Sequence, residues 1–120
     1  MKLRDILFED SCKDIDIKDI KYFYHATLKD NLYSIMKDGI KKDHLYGGVF
    51  LADSSQNAAK FLIIRGIKDI IVFKIDASKL NKNKLEESYD HSREFFKCRA
   101  YIYFDNIKPN AIDMNHIITY

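Results

Sequence analysis

The residues best placed for chemistry stand at junctions between apolar runs rather than on open polar faces. His25-Ala26-Thr27 closes an aromatic run, Gly47-Gly48 opens another apolar run, and Arg65-Gly66 follows an alanine-bearing one. A histidine at such a point is a ligand contact or a satisfied structural histidine. Thr27 offers a hydroxyl as a helix cap, a ligand contact or both, and Arg65 a cation favourable to a helix C-terminus. Downstream, Glu86, Glu87, Asp90 and Glu94 fall in a charged segment, 81–97, without a clean period. It reads as a mobile loop with one helical turn, and loops of that length are often functional. Zinc is disfavoured by spacing, because Cys12, Cys98, His25, His44, His91 and His116 form no CxxC or HxxxH pair.

Positioning these groups falls to the stretch 24–62, which reads as strand, helix, glycine-rich turn, strand, helix. A strand over 21–25 leads into a helix whose Leu28, Leu32, Ile35 and Met36 follow one buried stripe. Thr27 or Asp30 can cap it, Gly39 sits where a left-handed residue is wanted, and Ile40 can pack back. Gly47-Gly48 permits a tight approach into a strand over 49–52. Asp53, Ser54 or Ser55 caps a second helix that buries Ala58, Ala59, Leu62 and Ile63 and ends near Arg65-Gly66. The almost wholly apolar 70–75 run is the central strand, and 101–104 and 112–118 are further strands. Short strands with two early helices predict an α+β fold with a mainly antiparallel, split sheet and two or three flanking helices.

The same stretch resembles the ADP-ribosyltransferase superfamily. His25-Ala26-Thr27 is similar to the "His-Gly-Ser/Thr" that opens the site there. Gly48-Val49-Phe50-Leu51-Ala52-Asp53-Ser54 is similar to the "Gly-Ile-Tyr-Phe-Ala-Asp" strand, with Ala58 and Ala59 following. Order and separation fit the His-Tyr-Glu branch, that of poly-ADP-ribose polymerase catalytic domains and small bacterial DNA-targeting transferases. The resemblance implies two small sheets gripping NAD as a co-substrate, with no metal. By that resemblance His25 binds the adenosine ribose, the Ala26 backbone and Thr27 hold the nicotinamide carboxamide, and Phe50 stacks on the nicotinamide ring. Gly48, Ser54 and Ala58 line the pocket, and Arg65 binds phosphate or pyrophosphate.

One departure bears on mechanism. The branch begins its third motif strand with a glutamate that stabilises the ribose cation; matching Tyr101-Ile102-Tyr103-Phe104-Asp105 to "Glu-Tyr-Ile-Val-Tyr-Asp" puts Ala100 there. Three alternatives follow. An acid from the preceding loop reaches in, and Glu94 is then taken as catalytic with His25 and Phe50. Or the reaction differs: Ala58-Ala59-Lys60, Arg65-Gly66 and the 70–77 run also resemble the RNA 2′-phosphotransferase branch, which has no such acid. That branch wants Arg before its first His, where Tyr24 stands, and a second His, absent from Val49-Phe50-Leu51. Or the chain is a catalytically weakened NAD-fold module that binds or inhibits. The leading expectation is a transferase moving ADP-ribose from NAD to a protein or nucleic-acid target of a host.

Length and composition bound the rest. With 120 residues and 47% apolar content, one domain over 21–120 is expected, preceded by an amphipathic helix and lead-in over 1–20. Leu3, Ile6 and Leu7 form that helix's stripe, and the charges around them exclude a signal peptide or a membrane span. A net charge of +2 predicts no strong generic nucleic-acid affinity. Two distant cysteines read as free thiols in a reducing, cytoplasmic compartment, and a monomer is expected. Richness in Ile, Lys, Asn and Asp without Trp suggests a bacterial or phage source, in which case the host cytoplasm is the location.

Overall fold

The computed structural model describes residues 16–88 and 100–120, and its strands follow the apolar runs. They are β1 (Tyr22–Leu28), β2 (Val49–Ala52), β3 (Ile70–Asp76), β4 (Leu85–Ser88), β5 (Ala100–Tyr103) and β6 (Ile112–Thr119), with helices α1 (Leu32–Asp38) and α2 (Ser55–Ile63). All pairings are antiparallel, in the order β4-β5-β2-β1-β3-β6. The fold is α+β, as expected. The proposed N-terminal helix on Leu3, Ile6 and Leu7, both cysteines, Asp90 and Glu94 lie outside the described residues.

Alternation along β3 explains why nearly all of it is apolar: it is buried on both faces. Ile71, Phe73 and Ile75 enter the larger core with Phe23, Leu51, Tyr101 and Ile107. Ile70 and Val72 face the other way, packing with Ala52 and with Ala58 and Ala59 of α2. Phe23 meets Tyr101 edge-on at 5.1 Å between ring centroids. Burying each such large side chain contributes about 1.5–3 kcal/mol. The 70–75 run is thus internal, though the midline of the sheet falls between β2 and β1.

Strand pairing overrides local pattern at two places. Thr27 and Leu28 continue β1, paired with Ile71 and Ile70, so α1 begins only at Leu32. Leu28 and Met36 are consequently exposed and Ile35 alone of the expected stripe is fully buried. Neither Thr27 nor Asp30 caps α1; Asn31 holds the cap position without a side-chain bond to the backbone. Ile63 is likewise exposed. Within 81–97, residues 82–84 form the anticipated turn, but Leu85–Ser88 is an edge strand against β5 rather than loop.

The sheet is continuous, yet its two halves are unequally joined. β1 matches β3 along its whole length, from Tyr22↔Asp76 to Leu28↔Ile70, and β2 matches β5 from Val49↔Tyr103 to Ala52↔Ala100. Between β1 and β2 the register holds one pair, Tyr24↔Ala52. The expected split sheet is therefore a single sheet with a one-pair seam.

Gly39 ends α1 at φ +80° and ψ −172°, a backbone region essentially reserved for glycine rather than the left-handed helical well expected. There the chain closes a bridge in which Ile40 and Ile107 exchange backbone hydrogen bonds of 2.8 Å, and a Cβ on Gly39 would lie 2.1 Å from the Ile107 oxygen. Gly47 also has positive φ, +71°, but nothing within 4 Å of its Cβ direction. Gly39→Ala is expected to cost about 3 kcal/mol of unfolding free energy and Gly47→Ala about 1–2 kcal/mol, read by urea denaturation. Equal costs would contradict the role given to the Ile107 contact.

Candidate functional site

Past the Tyr24↔Ala52 pair the strands of the seam cease to pair, and a side chain takes over the bridging. His25 Nδ1 lies 2.8 Å from the Phe50 carbonyl oxygen. A carbonyl only accepts, so Nδ1 carries the hydrogen. Burial pushes the His25 pKa below that of a free histidine, outweighing the opposing effect of the Phe50 bond. The ring is therefore a neutral imidazole whose Nε2 presents a lone pair, suited to accept from a hydroxyl.

The segment 43–48 supplies the next wall. Asp43 Oδ1 accepts from the backbone N–H groups of Leu45 (2.7 Å) and Tyr46 (3.1 Å). Backbone bonds from Gly47 to Asp43 and from Asp43 to Gly48 close the loop. This sets the Tyr46 ring edge-on to Phe50, 5.3 Å between centroids at 77°. Gly48 approaches β5 so closely that a Cβ would lie 2.7 Å from Ile102 Cγ1.

Helix α2 forms the third wall. Ser54 Oγ accepts from the Asn57 N–H, and Asn57 Nδ2 donates to Asp53 Oδ1 at 2.8 Å, fixing the helix start. At the other end Gly66, at φ +78°, ends the helix: its N–H reaches the Ile63 oxygen and the Ile67 N–H the Leu62 oxygen. Ala58 and Ala59 let the helix lie low over Ala52 and Val72.

These walls enclose a cavity of about 280 Å³. His25 and Ala26 reach it from β1, Phe50 from β2, Ala58 from α2 and Arg65 from the turn that follows α2. Ala100, at the start of β5, also lines it. Three anticipated residues are used elsewhere. Thr27 Oγ1 accepts from Asn31 Nδ2 at 2.9 Å, Ser54 caps α2, and Gly48 packs on β5. Glu86 and Glu87 are on β4, outside the cavity lining, while Glu94 is not described.

Sequence reasoning missed Asp43, Tyr46, Phe61 and Leu62, which complete the lining. The usable signal was an Asp three residues ahead of a Tyr-Gly-Gly, a turn signature that brings two exposed side chains to the edge of the cavity as well as ending the loop. Arg65 is exposed at the rim and makes no ion pair among the described residues. No three His, Cys, Asp or Glu side chains gather as a metal site among the described residues, and no described helix is long and apolar enough to cross a membrane. Neither a protein-family model nor a curated protein matches the chain.

The half-buried, neutral histidine makes stability depend on pH. Its folded pKa is below the unfolded one, so its contribution is complete above the free-histidine value and is lost as pH falls through the window beneath it. The carboxyls of Asp76, Asp105 and Asp113 are held below the ordinary aspartate value by bonds from Ser78, Lys84 and the Asn115 N–H respectively, so they stay ionised through that window. Urea unfolding at pH 7 and pH 5 should show a larger loss for the wild type than for His25→Gln. Equal losses would refute a neutral His25.

Proposed function

We propose that the seam cavity binds NAD and that the chain is an NAD-dependent ADP-ribosyltransferase acting on a macromolecular target. The observation that carries this reading is the convergence of His25, Phe50, Ala58 and Arg65 on one cavity at the parting of two strands. That pocket has about the volume at which small-molecule sites begin, roughly 300 Å³, so it suits one end of a dinucleotide better than the whole.

The transfer breaks the bond between nicotinamide and ribose C1′ through a state with positive charge on the ribose. His25 accepts from a ribose hydroxyl through Nε2, its tautomer fixed by Phe50. The Ala26 backbone meets the carboxamide, and the Phe50 ring, held by Tyr46, offers a face to the nicotinamide. Ala58 leaves room for that ring. Arg65, unpaired among the described residues and exposed, takes the pyrophosphate. Thr27 is left out of this scheme because its hydroxyl serves Asn31. Cytoplasmic location and a monomeric state complete the proposal.

A second reading rests on Arg65 and Ala100, which together match a phosphate-binding site without a third-motif acid: an RNA 2′-phosphotransferase-like activity. A 2′-phosphorylated oligonucleotide with NAD tests it. Release of a cyclic phosphate product, abolished by Arg65→Ala, would put that reading first.

For the leading reading, calorimetry should show NAD binding that weakens at least tenfold in His25→Ala and about 10–100-fold in Arg65→Ala, the worth of one charge-assisted bond. The wild type should release nicotinamide. Binding without release would leave a binding module. No binding at millimolar NAD would overturn the proposal.

A further inference from the structure

We propose that Asp43 is the carboxylate that stabilises the ribose cation in this site, filling the role that Ala100 cannot. The inference rests on the NAD reading above and deepens it. Asp43 is the one acidic side chain among the described residues lining the cavity. Its Oδ1 is held by the N–H groups of Leu45 and Tyr46, which fixes the carboxylate plane; Oδ2 makes no hydrogen bond among the described residues. The same turn presents Tyr46 to Phe50, so the carboxylate and the aromatic pair are placed as one unit.

The described lining holds one charge of each sign, on separate segments. Asp43 belongs to the turn that carries Tyr46, and Arg65 to the turn that follows α2. NAD carries its positive charge on the nicotinamide end and its negative charge on the pyrophosphate. A carboxylate beside the rings attracts the cationic end in the ground state and gains most as charge moves to C1′ and the ring oxygen. In that step the C1′–nitrogen bond breaks and its electron pair leaves with nicotinamide, now a neutral pyridine. C1′ bonds to an oxygen or nitrogen of the acceptor, whose proton goes to solvent. Asp43 transfers no proton; it is an oriented charge.

The test uses the full chain, with NAD binding by calorimetry and nicotinamide release on the same samples. Asp43→Asn retains an Oδ1 that accepts from Leu45 and Tyr46, so the turn and the fold are kept while the charge is removed. NAD affinity is expected to stay within a few-fold and release to fall about 100-fold or more. Glu86→Gln, on β4 outside the cavity lining, is expected to keep its release rate. Wild-type release in Asp43→Asn, or a 100-fold loss in Glu86→Gln as well, would overturn the assignment. Loss of NAD binding in Asp43→Asn would overturn it too, by making the residue structural. Wild type that binds NAD without releasing nicotinamide would sink Asp43 alone; wild type that binds none would sink the NAD reading with it.

Discussion

The hydrogen bond from His25 to the Phe50 carbonyl holds together the part of the sheet on which everything else depends. Two antiparallel strands that share one residue pair would ordinarily leave buried backbone groups without partners, at a cost of about 1–3 kcal/mol each. The imidazole satisfies one of them and keeps the strands apart. The seam is thus both opened and sealed by the residue that faces the cavity. Replacing His25 removes a structural strut along with the proposed ligand contact.

Small residues do the remaining shaping. Ala52, Ala58, Ala59 and Ala100 are all buried, and they sit where sheet and α2 meet. Larger side chains there would fill the space with core, as Phe73 and Leu51 do on the opposite face. The smaller cluster therefore gives up hydrophobic burial and gains a hollow, while the larger core carries most of the stability. A division of that kind lets the site side be loosely packed without endangering the fold.

Much of this was legible in the residues. The 70–75 run, the glycine after α1, the Ser54 cap and the Arg65-Gly66 stop are local signals, and local signals decided those elements. What failed depended on pairing across the chain. Nothing near Thr27 or Leu28 announces that Ile71 and Ile70 will hold them in a strand, and nothing in the charged 81–97 segment marks Leu85–Ser88 as the edge beside β5. At the candidate site, His25, Ala26, Phe50, Ala58 and Arg65, singled out by their order in the sequence, line one cavity. Asp43 and Tyr46 were missed because their placement at the cavity is made by the turn's own hydrogen bonds.

The most direct measurement of the central claim, that the seam between β1 and β2 is a nucleotide cleft, is an amide NMR titration with NAD. The predicted result is a set of shifts confined to the 25–27, 43–50, 58–66 and 100–101 segments, saturating with one site. Shifts confined to β6 or α1, or none at millimolar NAD, would contradict it.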